Sequence, residues 1–249
     1  MTGTVLSSNL GEGVRLVSLN RPHRLNAIVP ELLDDFVDAI DRANADTSIG
    51  AIVLTGEGRA FCAGDDLKEF ANQAEDEAAT TAYIERIQDV TRAMLRGDKP
   101  VIGAIRGWAA GGGLEWVINC DFAIAAEGTR FFFPEISLGV FVTGGVTALL
   151  PRLVGLRRAR EMIMLGEKFD ARQALAWGLL HDVVADAELM PAAVALARRI
   201  AALPPGPVRD LRRILAVDHD LDAAMREETE ATVRGFLDPE TAARVAKFG

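Results

Sequence analysis

Short apolar segments alternate with amphipathic ones along the first two thirds of the chain. Val14 to Leu19 alternates apolar and polar residues after a glycine pair, which predicts the second arm of a β-hairpin. Pro30 begins an amphipathic helix that we expect to reach about Ala43, with one apolar face toward the core. Ala51 to Thr55 is a short apolar run that predicts a strand. This alternation is typical of an α/β core.

The same alternation continues until about Ala187, after which only helical patterns remain. Asp170 and Gln173 have the spacing of a capping box, and Gly178 stands where a glycine would end that helix. We therefore predict an α/β core over residues 1–195 and an α-helical C-terminal region over residues 196–249. The other predicted elements are a polar helix over 68–96, a buried strand at 100–102, strands over 122–126 and 130–133, a helix from about 146, and a strand over 181–184.

A glycine-rich stretch from Gly103 to Glu115 lies at the centre of the pattern, between a buried strand and a buried helix. Its three consecutive glycines, residues 111–113, leave backbone N–H groups that no side chain screens. The start of the helix adds further N–H donors and the positive end of its dipole. Such a turn can stabilise negative charge that develops on an oxygen atom, and Glu115 places an acid beside it.

A structural role remains open for the same stretch. Glycine-rich turns also serve for close packing, and the spacing alone favours that role. Glu115 could be a structural acid near a helix start, where the dipole favours it. The turn fits neither the G-x-G-x-x-G dinucleotide fingerprint nor a phosphate loop with its lysine.

Composition narrows the function classes. The chain has 249 residues, of which 49% are hydrophobic, so it can bury a sizeable core. Its net charge of −9 disfavours nucleic acids and anionic membranes as partners, although a local basic patch could still bind an anionic ligand. Cys62 and Cys120 lie in apolar surroundings and are expected to be buried free thiols, which suits a reducing compartment. Without a membrane-length apolar run or a signal-peptide pattern, we expect a cytoplasmic protein.

Five ordered motifs together resemble those of the crotonase (enoyl-CoA hydratase/isomerase) family. The resemblance covers about residues 4–200. In chain order, the motifs are an early CoA-contacting loop at 20–27, a first oxyanion loop at 60–67, a second at 107–121, a loop bearing a second acid at 133–139, and a final ordered set between 165 and 184.

The resemblance implies a fold, an assembly and a ligand. The fold would be a spiral of ββα units followed by a helical region, here residues 196–249, that mediates trimerisation. Trimers of this family usually pair into hexamers. The ligand would be an acyl-CoA thioester, with no prosthetic cofactor and no metal. Asp65 and Asp66 could suggest a metal site, but no third ligand falls at useful spacing.

The resemblance also assigns roles to individual residues. The backbone N–H groups of Asp65 and Gly112 match the two donors to the thioester oxygen, and Glu115 and Glu135 match the two catalytic acids. Trp116 could shape the acyl pocket or simply belong to the core. The implied substrate- and CoA-binding residues are Arg24, Ala27, Ala60, Ala63, Asp65, Asp66, Leu67, Lys68 and Gly112, with Arg21 and Lys247 as further candidates, and the implied acyl-pocket residues are Trp116 and Phe141.

Two acids favour hydration of an enoyl-CoA, the reaction of a hydratase-type lyase, in which water adds to Cβ and a proton to Cα. We expect Glu115 to deprotonate the water and Glu135 to supply the proton, although the roles could be reversed or the water shared. Sibling reactions remain open: enoyl-CoA isomerisation, carnitinyl-type dehydration, or hydration with cleavage of an aryl substrate. An RNA-binding role would need a lysine-rich helix, whereas residues 68–99 mix arginine with many acids.

One loop departs from the family pattern. Hydratases commonly have Ile-Pro-Gly-Ala-Gly-Gly after the Leu-Gly of the second acid loop. This chain instead has Val140-Phe-Val-Thr143 followed by two glycines. The loss of the proline and the gain of Phe141 and Val142 alter a wall of the predicted acyl pocket, so the identity of the acyl group is left open.

Overall fold

A six-stranded sheet forms the centre of the protein in the computed structural model, which describes residues 3–68, 76–216 and 221–248. Its strand order is β1-β2-β3-β4-β6-β9, in which β1 and β2 form the predicted antiparallel hairpin and the other neighbours are parallel. The strands of the protein are β1 Val5–Asn9, β2 Val14–Leu19, β3 Ala51–Gly56, β4 Val101–Ile105, β5 Trp108–Ala110, β6 Phe122–Ala126, β7 Arg130–Phe132, β8 Phe169–Asp170 and β9 Asp182–Val184.

Helices cover both faces of this sheet, and none among the described residues is long and apolar enough to cross a membrane. The capping box at Asp170 is confirmed, since its carboxylate accepts from the Gln173 N–H and the Gln173 side chain accepts from the Asp170 N–H. The helices are α1 Pro30–Ala45, α2 Glu77–Arg96, α3 Gly112–Ile118, α4 Glu135–Leu138, α5 Val146–Val154, α6 Leu156–Leu165, α7 Ala171–Ala176, α8 Leu189–Ala201, α9 Pro205–Ala216, α10 Leu221–Phe236 and α11 Pro239–Phe248.

The helix predicted over residues 68–96 is confirmed from Glu77 onward. Lys68 lies in a turn, residues 69–75 lie outside the described residues, and α2 begins at Glu77. Asp76 has an extended backbone and its carboxylate accepts a hydrogen bond from the Ala79 N–H. That side-chain cap fixes the first turn of the helix, a signal that the sequence pattern did not single out.

A second, three-stranded sheet was not predicted. It has the order β5-β7-β8, and the stretch we expected to be a single strand–turn–helix contains the short strand β5 instead. Each of β4 and β6 continues through a tight turn into one of these strands and then into a helix, so β4-β5-α3 and β6-β7-α4 are successive ββα units. The loop after β3 joins the series, because Cys62 forms an isolated bridge with Ala109.

The main sheet is buried on both faces, which explains why its parallel strands are nearly continuous apolar runs. Helices α1 and α2 pack over one face. Helix α8 covers the other face with Leu189, Ala193 and Ala197, packed on Val53 and Ile102. The predicted boundary between residues 195 and 196 falls inside α8, so the division into a core and a trimerisation region stays a prediction.

The turn between β4 and β5 requires a glycine. Gly107 has φ +64°, and a methyl group added there would lie only 1.9 Å from the Arg59 carbonyl oxygen. The same turn receives the loop after β3, since the Phe61 N–H donates to the Arg106 carbonyl oxygen over 2.8 Å. The backbone at Gly107 therefore cannot move away from Arg59 without breaking the hydrogen bond between Phe61 and Arg106.

We therefore expect Gly107→Ala to lower the free energy of unfolding by about 3 kcal/mol or more. Gly128→Ala is the matched control, because nothing lies within 4 Å of a methyl group added there. The control should change stability by about 0.5 kcal/mol or less. Urea unfolding followed by circular dichroism measures both, and equal stabilities for the two variants would contradict the packing described for this turn.

Candidate active site

The loop after β3 and the turn between β5 and α3 lie side by side. The Cys62 N–H donates to the Trp108 carbonyl oxygen and the Ala110 N–H donates to the Cys62 carbonyl oxygen, each over 3.0 Å. Gly64 has φ +83°, and a methyl group there would lie 2.9 Å from the Ala110 carbonyl oxygen. The glycine at this position therefore lets the backbone beside Asp65 approach the turn that begins α3.

The backbone N–H groups of Asp65 and Gly112 are available to an external acceptor. Asp65 lies in a parallel bridge with Ile28, in which the flanking Gly64 carbonyl oxygen and Asp66 N–H make the hydrogen bonds, so the Asp65 N–H points away from Ile28. Gly112 is the first residue of α3, where an N–H has no intrahelical acceptor. Within the described residues, neither N–H donates a hydrogen bond.

A small cavity of about 80 Å³ opens beside these loops. Asp65, Gly111 and Glu135 contribute polar groups to it, and most of the remaining wall is apolar. Phe236 of α10 and Val245 of α11 complete the wall, so the C-terminal helices form part of the cavity. The full lining is Ala63, Gly64, Asp65, Leu67, Gly111, Phe132, Pro134, Glu135, Leu138, Val140, Phe236 and Val245.

Glu115 projects from the first turn of α3 and is almost fully buried. Thr143 holds both of its carboxyl oxygens: the Thr143 N–H donates to Oε1 over 2.7 Å, and the Thr143 hydroxyl lies 2.7 Å from Oε2. Burial raises the pKa of Glu115 to about 8, against the opposing effect of the Thr143 hydrogen bonds. Glu115 therefore exchanges its proton close to neutral pH.

Glu135 is the first residue of α4 and is 9% exposed. Its Oε2 is buried without a hydrogen-bond partner among the described residues, and its Oε1 faces Gly111, where a methyl group would lie 2.6 Å away. Burial, and then the charge of Glu115, raise the pKa of Glu135 well above its usual value. Because no hydrogen bond among the described residues offsets the burial of Oε2, the surroundings favour the protonated form of Glu135.

The side chain of Asp65 is hydrogen-bonded to α2. The Tyr83 hydroxyl donates to Asp65 Oδ1 over 2.6 Å. Burial raises the pKa of Asp65 despite this hydrogen bond, and burial together with the Asp65 charge raises the pKa of Tyr83. The sequence analysis missed this contact, although Tyr83 is the single tyrosine of the chain and stands on the inner face of a predicted helix.

Asp66 brings together the two arginines expected near CoA phosphates. Arg24 donates to Asp66 Oδ1 over 2.6 Å, and Arg21 donates to Oδ2 over 3.3 Å. Burial opposes ionisation of Asp66, but the hydrogen bonds from Arg24, the Lys68 N–H and Arg21 outweigh it and lower the pKa of Asp66. The Arg24 side chain is 31% exposed, so part of it remains open to solvent, and its role toward phosphates stays a prediction.

The other predicted site residues divide into two groups. Ala63 and Leu67 line the cavity, whereas Ala27 and Ala60 are buried beneath the loops. Lys247 is exposed on α11.

Neither predicted acyl-pocket residue lines this cavity within the described part of the chain. Trp116 is fully buried and packs edge-on against Phe36, with ring centroids 5.0 Å apart, which is the core position that the sequence left as the alternative. Trp116 faces the core because the next residue of α3 after Glu115 lies on a different side of the helix. Phe141 is half-buried against the core, and Val140 forms the wall in its place.

Comparison with known proteins places these observations in a family. The enoyl-CoA hydratase/isomerase family model matches residues 9–246. The chain is 34% identical over 221 residues to the short-chain-enoyl-CoA hydratase of Clostridium acetobutylicum, covering 88% of this chain and 84% of that protein. It is 36% identical over 199 residues to the 1,2-epoxyphenylacetyl-CoA isomerase of Escherichia coli, covering 79% and 76%.

A solved structure supports the same conclusion for the fold. An enoyl-CoA hydratase/isomerase from Xanthobacter autotrophicus superposes with a TM-score of 0.90 at 31% identity, covering 99% of this chain and 93% of that one. The predicted crotonase fold, with its repeated ββα units and C-terminal helices, is thereby confirmed. The chain belongs to the crotonase, or enoyl-CoA hydratase/isomerase, family.

Proposed function

We propose that this protein adds water across the 2,3-double bond of an enoyl-CoA and releases a 3-hydroxyacyl-CoA. The observation that carries the proposal is the pairing of two buried glutamates, both with raised pKa values, with two backbone N–H groups that lack acceptors in the same region. An enoyl thioester needs both parts of this arrangement, because charge develops on its oxygen while protons move at the neighbouring carbons.

The N–H groups of Asp65 and Gly112 would donate to the thioester oxygen. When water attacks Cβ, the electrons move toward that oxygen and give an enolate. Fixed donors stabilise this charge without reorganisation, and the loss of one such donor typically costs about 100- to 1000-fold in rate. The positive end of α3, which begins at Gly112, adds to the stabilisation.

The different surroundings of the two acids support different roles for them. Glu115 has a pKa of about 8, so a useful fraction is ionised near neutral pH, and Thr143 fixes its orientation. It would accept a proton from water as the hydroxide bonds to Cβ. Burial favours the protonated form of Glu135, and its Oε2 has no partner among the described residues, so it would deliver its proton to Cα. Proton exchange with solvent then restores both groups.

The remaining assignments from the family resemblance belong to the same proposal. Arg24 and the loop at residues 60–68 would bind the CoA part of the substrate, supported by Ala63 and Leu67 in the cavity wall. A trimer, or a hexamer of paired trimers, is the assembly we propose. CoA would act only as part of the substrate, without a prosthetic group.

A second candidate is the same chemistry on an aryl-bearing acyl-CoA, or isomerisation of the double bond. Phe132 and Phe236 give the cavity an aromatic wall. The isomerase among the relatives acts on a phenylacetyl-CoA derivative by its name. Carnitinyl-type dehydration uses the same two positions for proton transfer and stays within this candidate.

A substrate panel separates these reactions. We expect crotonyl-CoA or a longer enoyl-CoA to be hydrated with a higher kcat/KM than cinnamoyl-CoA, and a 3-enoyl-CoA to be isomerised slowly. Loss of absorbance of the conjugated thioester measures hydration, and its gain measures isomerisation. Faster turnover of the cinnamoyl or 3-enoyl thioester would replace the first candidate with the second.

Removing either acid should abolish most of the turnover. For Glu115→Gln and for Glu135→Gln, we expect kcat on crotonyl-CoA to fall by about 100-fold or more, because each variant lacks one proton-transfer group. Acyl-CoA binding, measured by calorimetry with a saturated acyl-CoA, should change little. Near-normal hydration by either variant would show that its glutamate does not have the role proposed here.

Glu115→Gln should also make the protein more stable. The pKa of Glu115 is about 8 in the folded protein against 4.5 for the ordinary group, so the unfolded chain loses this proton first as the pH rises. Relative to its value below pH 4.5, the stability contributed by Glu115 therefore falls progressively between these two values. A glutamine cannot ionise, and its amide can pair with both the N–H and the hydroxyl of Thr143.

We expect Glu115→Gln to gain roughly 2–4 kcal/mol of unfolding free energy at pH 7, a gain that disappears in acid below the ordinary glutamate pKa. Urea unfolding at a series of pH values measures it, with the exposed Glu227→Gln as the control. If the two variants were equally stable at pH 7, burial would not raise the pKa of Glu115 as stated.

A further inference from the structure

The loop that binds Glu115 is fixed in turn by side chains that lie far from it in the sequence. Thr143 provides both contacts to the Glu115 carboxyl group, and Gly144 and Gly145 follow it with φ +67° and +68°. A methyl group on Gly144 would lie 2.8 Å from Glu115 Cβ. The position of Glu115 therefore depends on how firmly this loop, residues 143–147, is fixed.

Glu228 of α10 fixes the loop from the side opposite Glu115. Its Oε2 accepts from the Gly145 N–H over 2.9 Å, and its Oε1 accepts from the Thr147 N–H over 2.8 Å and from the Thr147 hydroxyl over 2.7 Å. Glu228 is 1% exposed and lies outside the cavity lining. A buried carboxyl group thus binds the amides of Gly145 and Thr147 at the start of α5.

Gln88 of α2 completes the attachment. Its Oε1 accepts from the Gly144 N–H over 3.1 Å, and its Nε2 donates to the Met225 carbonyl oxygen and, over 3.4 Å, to Glu228 Oε2. Asn119 Nδ2 donates to the Gly144 carbonyl oxygen over 2.9 Å from the end of α3. Side chains from three helices therefore hold consecutive backbone groups of the loop.

We propose that Glu228 is a positioning residue, which holds the loop over residues 143–147 so that Thr143 keeps the Glu115 carboxyl group oriented toward the substrate. This inference rests on the proposed function, because it assigns to Glu228 the orientation of the proposed base. Glu228 does not touch substrate. Its partners on the loop can all donate, and the backbone N–H groups can only donate, so the contacts favour an ionised carboxylate.

Glu228 carries a charge that affects the pKa of Glu115, so this pKa can be measured to detect the loss of that charge. A loss of packing alone would not change it in the same way. Burial is the first cause of the raised pKa of Glu115, and the neighbouring charges of Glu228 and then Asp65 add to it. The charge of Glu115 in turn raises the pKa of Glu135, after burial as the first cause. Burial raises the pKa of Glu228 itself, and the hydrogen bonds from Thr147, Gly145 and Gln88 oppose this increase. Removal of the Glu228 charge should therefore lower the pKa of Glu115.

The test compares Glu228→Gln with Glu227→Gln, a neighbouring exposed glutamate on the same helix. Glutamine has the shape of glutamate, but its NH₂ group cannot accept from the loop amides, so the loop loses at least one contact. We expect kcat on crotonyl-CoA to fall about tenfold or more while KM stays within about twofold. Glu227→Gln should behave as wild type.

The pKa of Glu115 is measured separately in the free protein. Glutamate labelled at its side-chain carboxyl carbon is followed by NMR over a pH series, and the Glu115 signal is the one that disappears in Glu115→Gln. We expect its midpoint to move down by about half a unit or more in Glu228→Gln and to stay in place in Glu227→Gln. This measurement needs no substrate and remains valid even if the protein hydrates no enoyl-CoA.

Thr147→Val provides a second test that keeps the Glu228 charge. It tests the positioning role of Glu228 if Glu228→Gln does not fold. It removes only the hydroxyl contact to Oε1, and we expect kcat to fall several-fold with KM unchanged. The proposal is overturned if the folded Glu228→Gln protein matches Glu227→Gln in both kcat and the Glu115 midpoint. It is equally overturned if thermal stability falls while the kcat/KM split and the Glu115 midpoint stay as in wild type.

Discussion

Burial of two carboxyl groups in one small region is the constraint on which the rest of the site depends. An isolated carboxylate pays a large desolvation cost in such surroundings, so each group either finds donors or keeps its proton. Glu115 finds donors in Thr143, whereas Glu135 Oε2 has none among the described residues, so burial favours the protonated form of Glu135. Two chemically identical side chains thereby acquire different proton affinities. That difference is what an acid and a base acting on adjacent carbons require.

The backbone must come very close to both acids for this to happen, and glycines allow it. An added methyl group at Gly111 would meet Glu135 Oε1, and one at Gly144 would meet Glu115. The second sheet supplies the frame, since β5 ends at the turn that begins α3 and β7 ends just before Glu135. Because β5 and β7 are paired in parallel, the two acids follow neighbouring strand ends. The ββα repeat thus determines where the chemistry can occur.

The local pattern of the chain predicted much of the fold for physical reasons, whereas the two acids were assigned through the family resemblance and stay a prediction. The apolar runs at 51–55 and 122–126 and the amphipathic helix from Pro30 bury their side chains in ways that periodicity reveals. Strand β5 escaped prediction because three residues, one of them half-exposed, carry no period. The partners of the acids escaped as well, since Thr143 and Glu228 reach the site only through tertiary contacts. Trp116 was ambiguous because burial in a core and burial in a pocket select the same residue type.

The most direct test of the account is a crystal structure with an unreactive acyl-CoA such as butyryl-CoA bound. The account predicts that the thioester oxygen lies about 2.7–3.1 Å from the backbone nitrogens of both Asp65 and Gly112. It also predicts that the carboxyl groups of Glu115 and Glu135 lie on the Cβ and Cα side of that oxygen. A thioester oxygen bound away from either amide, or an acid directed away from those carbons, would contradict it.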